Sequence, residues 1–201
     1  RKREAFYHEV LELQDTFTAL EECRMPTIAA IQGGCIGGAI DMAAACDMRY
    51  CSENAFFKIA EVDIGIAADV GTLQRLPSLI PLAVLRELAY TGRKCDSAEA
   101  KSLGLVNEVY SSVDNMMEEV QKLAQTIASK SPLVTRVIKK QINYARDNTV
   151  RDSLEYHAMW NASLISHKDT ETALTGFINK SEGEFDDLEE LKSFWEKEGL
   201  I

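Results

Sequence analysis

Pro26-Thr27-Ile28-Ala29-Ala30-Ile31-Gln32-Gly33-Gly34-Cys35-Ile36-Gly37-Gly38-Ala39-Ile40-Asp41 sets the architecture expected for the whole chain. Thr27 to Ile31 is a short apolar run of the kind seen in a buried strand, Gly33 to Gly38 reads as a glycine-dense turn, and the small residues of Ala39 to Ala45 fit a helix. The turn is not a phosphate loop of the G-x-x-x-x-G-K-[ST] kind, because Lys and Ser or Thr are missing after Gly38, and G-x-G-x-x-G is not matched either. Two readings remain. The glycines allow close packing where the helix leaves the sheet, or they gather backbone N–H groups at a helix N-terminus that can hold a developing oxyanion.

On the N-terminal side, apolar residues at Phe6, Val10, Leu11, Leu13, Phe17 and Leu20 predict a helix to about Cys23, which Pro26 cannot prolong. The chain enters this pattern at once, with no N-cap ahead of it. On the other side, Asp47 to Cys51 and Ala55 to Ile59 read as strands, and Glu61 to Val70 has no usable periodicity. Helices are expected at Leu73 to Ile80 and Leu82 to Tyr90, and a short one capped by Asp96 or Ser97 and ended by Gly104, before a strand from Leu105 to Tyr110. The remainder reads as helices near 113–129, 132–146, 150–166, 169–179 and 185–197, with the acidic run Glu182 to Glu190 as a solvated helix start. The change from mixed α/β to all-helical near residue 112 is the one candidate domain boundary, dividing 1–112 from 113–201.

The 201 residues suffice for one domain or one domain with a helical appendage. Acidic residues outnumber basic ones 32 to 22, a net charge of −10, which is the wrong sign for coating phosphate backbones, so no nucleic-acid partner is expected. The apolar stretches fall short of the roughly 20 residues of a membrane-spanning helix. Five cysteines (Cys23, Cys35, Cys46, Cys51, Cys95) without a C-x-x-C pair, and three scattered histidines, suggest neither a disulfide framework nor a metal site.

Three acids bear on the glycine turn. Asp41 sits in the first turn of the helix the glycines open, while Glu61 and Asp69 stand among apolar neighbours in the irregular segment. A carboxyl in an apolar setting can carry protons near neutral pH, and two in unlike surroundings can divide acid and base roles. Taken singly, each is equally a helix cap or a salt-bridge partner.

The quoted stretch, continuing through Ala45-Cys46-Asp47-Met48-Arg49-Tyr50-Cys51 to Phe56-Phe57, resembles the signature of the enoyl-CoA hydratase/isomerase (crotonase) family. Gly71-Thr72-Leu73-Gln74-Arg75-Leu76-Pro77, Leu88-Ala89-Tyr90-Thr91-Gly92-Arg93 and Ala98-Glu99-Ala100-Lys101-Ser102-Leu103-Gly104-Leu105-Val106 extend the resemblance over nearly the whole chain. It implies an α/β fold, a crotonase-like β-β-α spiral carrying the active site, followed by a C-terminal helical trimerisation region. A homotrimer or homohexamer is implied with it. The implied substrate is an acyl-CoA, with coenzyme A as part of it and no further cofactor or metal. By resemblance the Gly38 N–H is one donor of an oxyanion hole, and Phe177 and Lys180 lie by the CoA nucleotide, although a core Phe and a solvated Lys on an amphipathic helix explain them as well. Tyr156 and Trp160 are read as trimer or core packing.

The acids indicate a branch. Hydratases of the family carry a glutamate at the position of Asp41, a second matching Glu61, and a glycine at the position of Asp69. The set Asp41, Glu61 and Asp69 looks like the Δ3,5-Δ2,4-dienoyl-CoA isomerase branch. That resemblance implies proton transfer by Glu61 and Asp69, with Asp41 as a supporting charge, and a mitochondrial-matrix or peroxisomal setting. An enoyl-CoA hydratase or other enoyl-CoA isomerase, and a non-catalytic crotonase-like subunit, are the alternatives. Ile64, Ile66 and Val70 are candidates to line a dry pocket, which core packing explains equally well. Family members are longer at the N-terminus, where a loop giving the second oxyanion N–H belongs, so the expectation is a truncated chain, weakly active or inactive alone.

Overall fold

The computed structural model describes residues 2–190. The chain divides into two compact units, Arg1–Ala124 and Gln125–Ile201.

In the first unit, α1 (Lys2–Glu21) ends ahead of Pro26, and β1 (Ile28–Ile31), β2 (Gly34–Ile36), α2 (Gly38–Ala45), β3 (Met48–Ser52) and β4 (Phe56–Lys58) follow. Among these first four strands, neighbours in sequence do not pair with each other. β1 pairs in parallel with β3, Ile28 opposite Met48, and β3 with β6 (Glu108–Tyr110), whereas β2 pairs in parallel with β4, Gly34 opposite Phe56. Each β-β step therefore feeds two three-stranded sheets at once, and α2 returns the chain for the next turn: a spiral. β5 (Cys95–Asp96) closes the second sheet antiparallel to β4.

Local chemistry explains where the elements depart from the sequence reading. The stretch read as a turn contains β2, because Cys35 and Ile36 pair with Phe57 and Lys58. The helix expected over Leu73 to Ile80 is α3 (Thr72–Arg75) plus a 3-10 turn at Leu76–Ser78, where Pro77 supplies no N–H. α4 (Leu82–Thr91) and α5 (Ser97–Leu103) match expectation, and the Asp96 side chain caps α5 by accepting from the Glu99 N–H. The strand expected from Leu105 begins only at Glu108, since the Leu105 N–H is spent on the Ala100 carbonyl at the end of α5.

Ile40, Phe57, Leu76, Leu85, Leu88 and Val106 join the buried cysteines Cys35, Cys51 and Cys95 in one core. Burial pushes these three thiols up, to about 12, 11 and 12 respectively. Arg49 is buried among them. It donates from Nε to the Leu105 carbonyl at 2.8 Å and from Nη1 to the Cys46 carbonyl at 2.7 Å, fixing the end of α2 to the segment before β6. Desolvation lowers the guanidinium's pKa from its ordinary value.

α6 (Val113–Ala128) spans the division between the units. In the second unit, α7 (Pro132–Asp147), α8 (Val150–Leu164) and α9 (His167–Asn179) each start on a hydroxyl cap: Ser131, Thr149 and Ser166 accept from the N–H groups of Val134, Asp152 and Asp169. Tyr144 stacks on Tyr156 with ring centroids 4.0 Å apart, and Trp160 meets Tyr156 edge-on. The helix expected over 185–197 is absent from Phe185 to Glu190, and residues 191–197 lie outside the described residues. Clustered acids repel in this segment, and Asp186 is drawn to Lys168 on α9 at 2.5 Å.

Candidate active site

The second sheet delivers the glycine turn and the first acid to one place. At the end of β2 the Gly37 N–H donates to the Lys58 carbonyl at 3.1 Å, across the parallel pair of β2 with β4. Gly37 then takes φ 54° and ψ −123°, a combination open in practice only to glycine, and α2 begins at Gly38. As the first residue of the helix, Gly38 has no intrahelical acceptor for its N–H.

Lys58 also governs the next segment. Its ammonium pairs with Asp63 at 2.7 Å, holding the 3-10 turn Glu61–Ile64 that follows β4. Glu61 opens that turn, and its Oε1 lies 3.0 Å from where a Cβ on Gly37 would stand. Glu61 Oε2 is buried and has no hydrogen-bond partner. One residue, Lys58, thus ties the glycine turn to the Glu61 turn, through its carbonyl on one side and its side chain on the other.

Asp41, in the first turn of α2, is wholly buried. Its Oδ1 accepts from the Thr72 N–H at 2.5 Å and the Thr72 hydroxyl at 2.7 Å, while Oδ2 is buried without a partner. Buried polar atoms are nearly always satisfied in native proteins, so an orphan oxygen calls for an explanation such as chemistry. The structure brings two such oxygens, on Asp41 and Glu61, to residues of the first turn of α2 and the glycine that caps it.

Asp69 is placed differently. Its side chain is exposed, as are Ile64 and Ile66, so the apolar surroundings expected for this acid are not present. A four-residue 3-10 turn and the irregular chain after it have too few inward positions to bury every apolar residue they carry. What holds Asp69 is its backbone: the carbonyl accepts from Gln14 Nε2 at 2.6 Å. Two residues on, Gly71 has φ 136°, and Arg75 Nη1 occupies the space of its absent side chain.

Phe177 and Lys180 close α9 in the second unit. Phe177 is 84% exposed, and Lys180 has a left-handed backbone that caps the helix. Among the described residues no cluster of His, Cys, Asp or Glu has the arrangement of a metal site, and no helix is long and apolar enough to cross a membrane. Sequence reasoning gave no role to Thr72, Lys58 or Gln14. Thr72 lies in the quoted stretch Gly71 to Pro77, but only the fold shows which acid it serves.

The sequence profile of the family described as enoyl-CoA hydratase/isomerase matches residues 2–188. The chain is 43% identical over 185 residues to the peroxisomal Δ3,5-Δ2,4-dienoyl-CoA isomerase of Arabidopsis thaliana, covering 92% of this chain and 66% of that protein. It is 46% identical over 161 residues to the mitochondrial Δ3,5-Δ2,4-dienoyl-CoA isomerase of Homo sapiens, covering 80% and 49%. Among solved structures, an enoyl-CoA hydratase from Bacillus anthracis superposes with a TM-score of 0.85 at 32% identity, covering 90% of this chain and 70% of that one. The chain spans about half to two thirds of the length of these curated relatives.

Proposed function

The chain belongs to the enoyl-CoA hydratase/isomerase family, and from that premise we propose that the protein converts a 3,5-dienoyl-CoA to the 2,4-dienoyl-CoA in the β-oxidation of unsaturated fatty acids. The observation that carries the reading is the placement of Glu61, with a buried, unpartnered oxygen, against the glycine that opens α2.

One carboxylate takes a proton from the α carbon. The electron pair moves onto the thioester oxygen, where the Gly38 N–H donates to the developing charge; such a donor is worth about 2.7–4 kcal/mol of barrier. As the dienolate collapses, the two double bonds move one carbon toward the thioester and a proton is delivered to the ε carbon. The α and ε positions are several bonds apart, and proton transfer needs a heavy-atom reach of about 2.6–3.2 Å, so two carboxyls at separate points along the acyl chain suit the task. Glu61 and Asp69 take these two roles, and Asp41, anchored by Thr72, is the supporting acid. The exposed Ile64 and Ile66 flank the acyl chain and keep water from the β carbon. Phe177 and Lys180 contact the CoA nucleotide of a neighbouring copy in a trimer or a pair of trimers built through the helical region. Work in mitochondria or peroxisomes agrees with the names of the relatives.

The test is a direct assay: conjugation of a 3,5-dienoyl-CoA beside hydration of a 2-enoyl-CoA. The isomerase reading expects the conjugated product, lost in Asp69→Asn with acyl-CoA binding retained. Near-normal turnover by that variant would sink the role of Asp69. Hydration without conjugation would support the second reading, an enoyl-CoA hydratase, which the likeness to the Bacillus anthracis structure favours.

A further inference from the structure

We propose that Gln14 on α1 is a positioning residue for Asp69, and that the face of α1 bearing Gln14, Thr18 and Glu21 serves as a latch for the acid-bearing segment. The proposal rests on the isomerase reading above.

Asp69 lies in chain without regular structure, its side chain is exposed, and among the described residues its carboxylate makes no hydrogen bond. An acid so placed keeps a definite position only if its backbone is held. The Asp69 carbonyl is held by Gln14 Nε2 at 2.6 Å, across 55 residues of sequence. The next carbonyl, of Val70, receives a longer contact of 3.5 Å from Arg75 Nη1. That guanidinium is itself fixed to α1, with Nε on Glu21 Oε2 at 2.9 Å and Nη2 on the Thr18 hydroxyl at 3.1 Å.

Residues 14, 18 and 21 recur at four and three positions, one face of a helix. The Thr18 hydroxyl also donates to the Gln14 carbonyl at 2.9 Å, joining the face along its length. α1 fully buries none of its own residues, and these polar ties join it to residues 69–75. Two successive carbonyls, those of Asp69 and Val70, are thus moored to α1, the first directly and the second through Arg75. Proton transfer tolerates only tenths of an ångström in reach, and a misplacement of about 1 Å can cost on the order of a hundredfold in rate.

The experiment compares Gln14→Glu with the unaltered protein. The substitution keeps shape and helix propensity while replacing the N–H donor by an oxygen that repels the Asp69 carbonyl. The expected result is a fall in kcat for conjugation on the order of tenfold or more, with KM within about twofold and an unchanged melting temperature. Gln14→Asn, which keeps an amide donor on a shorter side chain, recovers part of the lost kcat, whereas a loss unrelated to the Asp69 carbonyl would not follow the donor. Unaltered kcat in Gln14→Glu, or a loss in Gln14→Asn as large as that in Gln14→Glu, overturns the proposal. If the unaltered protein makes no 2,4-dienoyl-CoA, the functional reading is what fails. The latch is then read from amide hydrogen exchange over residues 68–71, which Gln14→Glu accelerates if the latch exists and leaves unchanged if it does not.

Discussion

The carboxylate of Glu61 stands where a side chain on residue 37 would have to go: its Oε1 is 3.0 Å from the Cβ position of Gly37. The glycine therefore meets two demands, a backbone at φ 54° and room for an acid. Gly37→Ala is expected to lower stability by about 1–3 kcal/mol through backbone strain, seen as an earlier urea midpoint. Turnover should fall further than folding explains, because Glu61 is pushed from the helix it faces. Full activity with only a stability loss would separate the two demands.

Asp41 and Thr72 are coupled inside the unit, and the coupling is lopsided. Asp41→Ala leaves a buried N–H and a hydroxyl without an acceptor and is expected to cost about 1–3 kcal/mol for each orphan that finds no water. Thr72→Val removes one donor and keeps the backbone N–H on Asp41 Oδ1, so it should cost about 1 kcal/mol. Denaturant melts of the two variants and the double variant check the order, and the double should be less than additive.

Arg49 joins two segments by donating to a carbonyl of each. Arg49→Met keeps an apolar stem but strips the donors from the carbonyls of Leu105 and Cys46, with an expected loss of about 1–3 kcal/mol for each carbonyl left dry. Arg49→Lys should recover only part of this, since an ammonium cannot copy the spread of a guanidinium. Thermal unfolding of both variants tests the ranking.

The buried thiols give the protein a defined alkaline limit. Cys35, Cys51 and Cys95 titrate near 12, 11 and 12 when folded, against an ordinary 9.0. The folded state thus holds protons that the unfolded chain releases. The stabilisation is complete below pH 9 and is lost as pH rises from about 9 toward 11–12, at about 1.4 kcal/mol per pH unit for each thiol. Urea midpoints followed from pH 8 to 10.5 should bend downward above pH 9. Replacing Cys35 and Cys95 by Ala should flatten that bend.

Much of this architecture was legible in the sequence because its signals are local. Pro26, Gly104 and the cap at Asp96 mark helix ends by backbone chemistry alone, and the glycine turn stands out against the apolar run before it. What the sequence could not show depends on distant partners. β5 is two residues long and exists only because Phe56 and Phe57 lie opposite, and the segment Phe185 to Glu190 is non-helical, with Asp186 paired to Lys168. For the site, the residue types at 41, 61 and 69 were readable. Their surroundings were not: Asp41 is the buried acid, Asp69 the exposed one, and the residues that hold them, Thr72 and Gln14, lie 31 and 55 positions away.

The Arg49 clasp also orders events in time. Arg49 Nε meets the carbonyl of Leu105, 56 residues later in the chain, while Nη1 meets that of Cys46 close by. During synthesis, α2 with its eight residues is too short to hold a helix alone, and its C-terminal end is not secured to the body of the unit until the chain beyond α5 arrives. At about 5–20 residues per second, synthesis puts seconds between the two carbonyls. The segment that presents the Gly38 N–H is therefore made early and fastened late, and a nascent chain stalled before residue 105 would leave it without a fixed bearing.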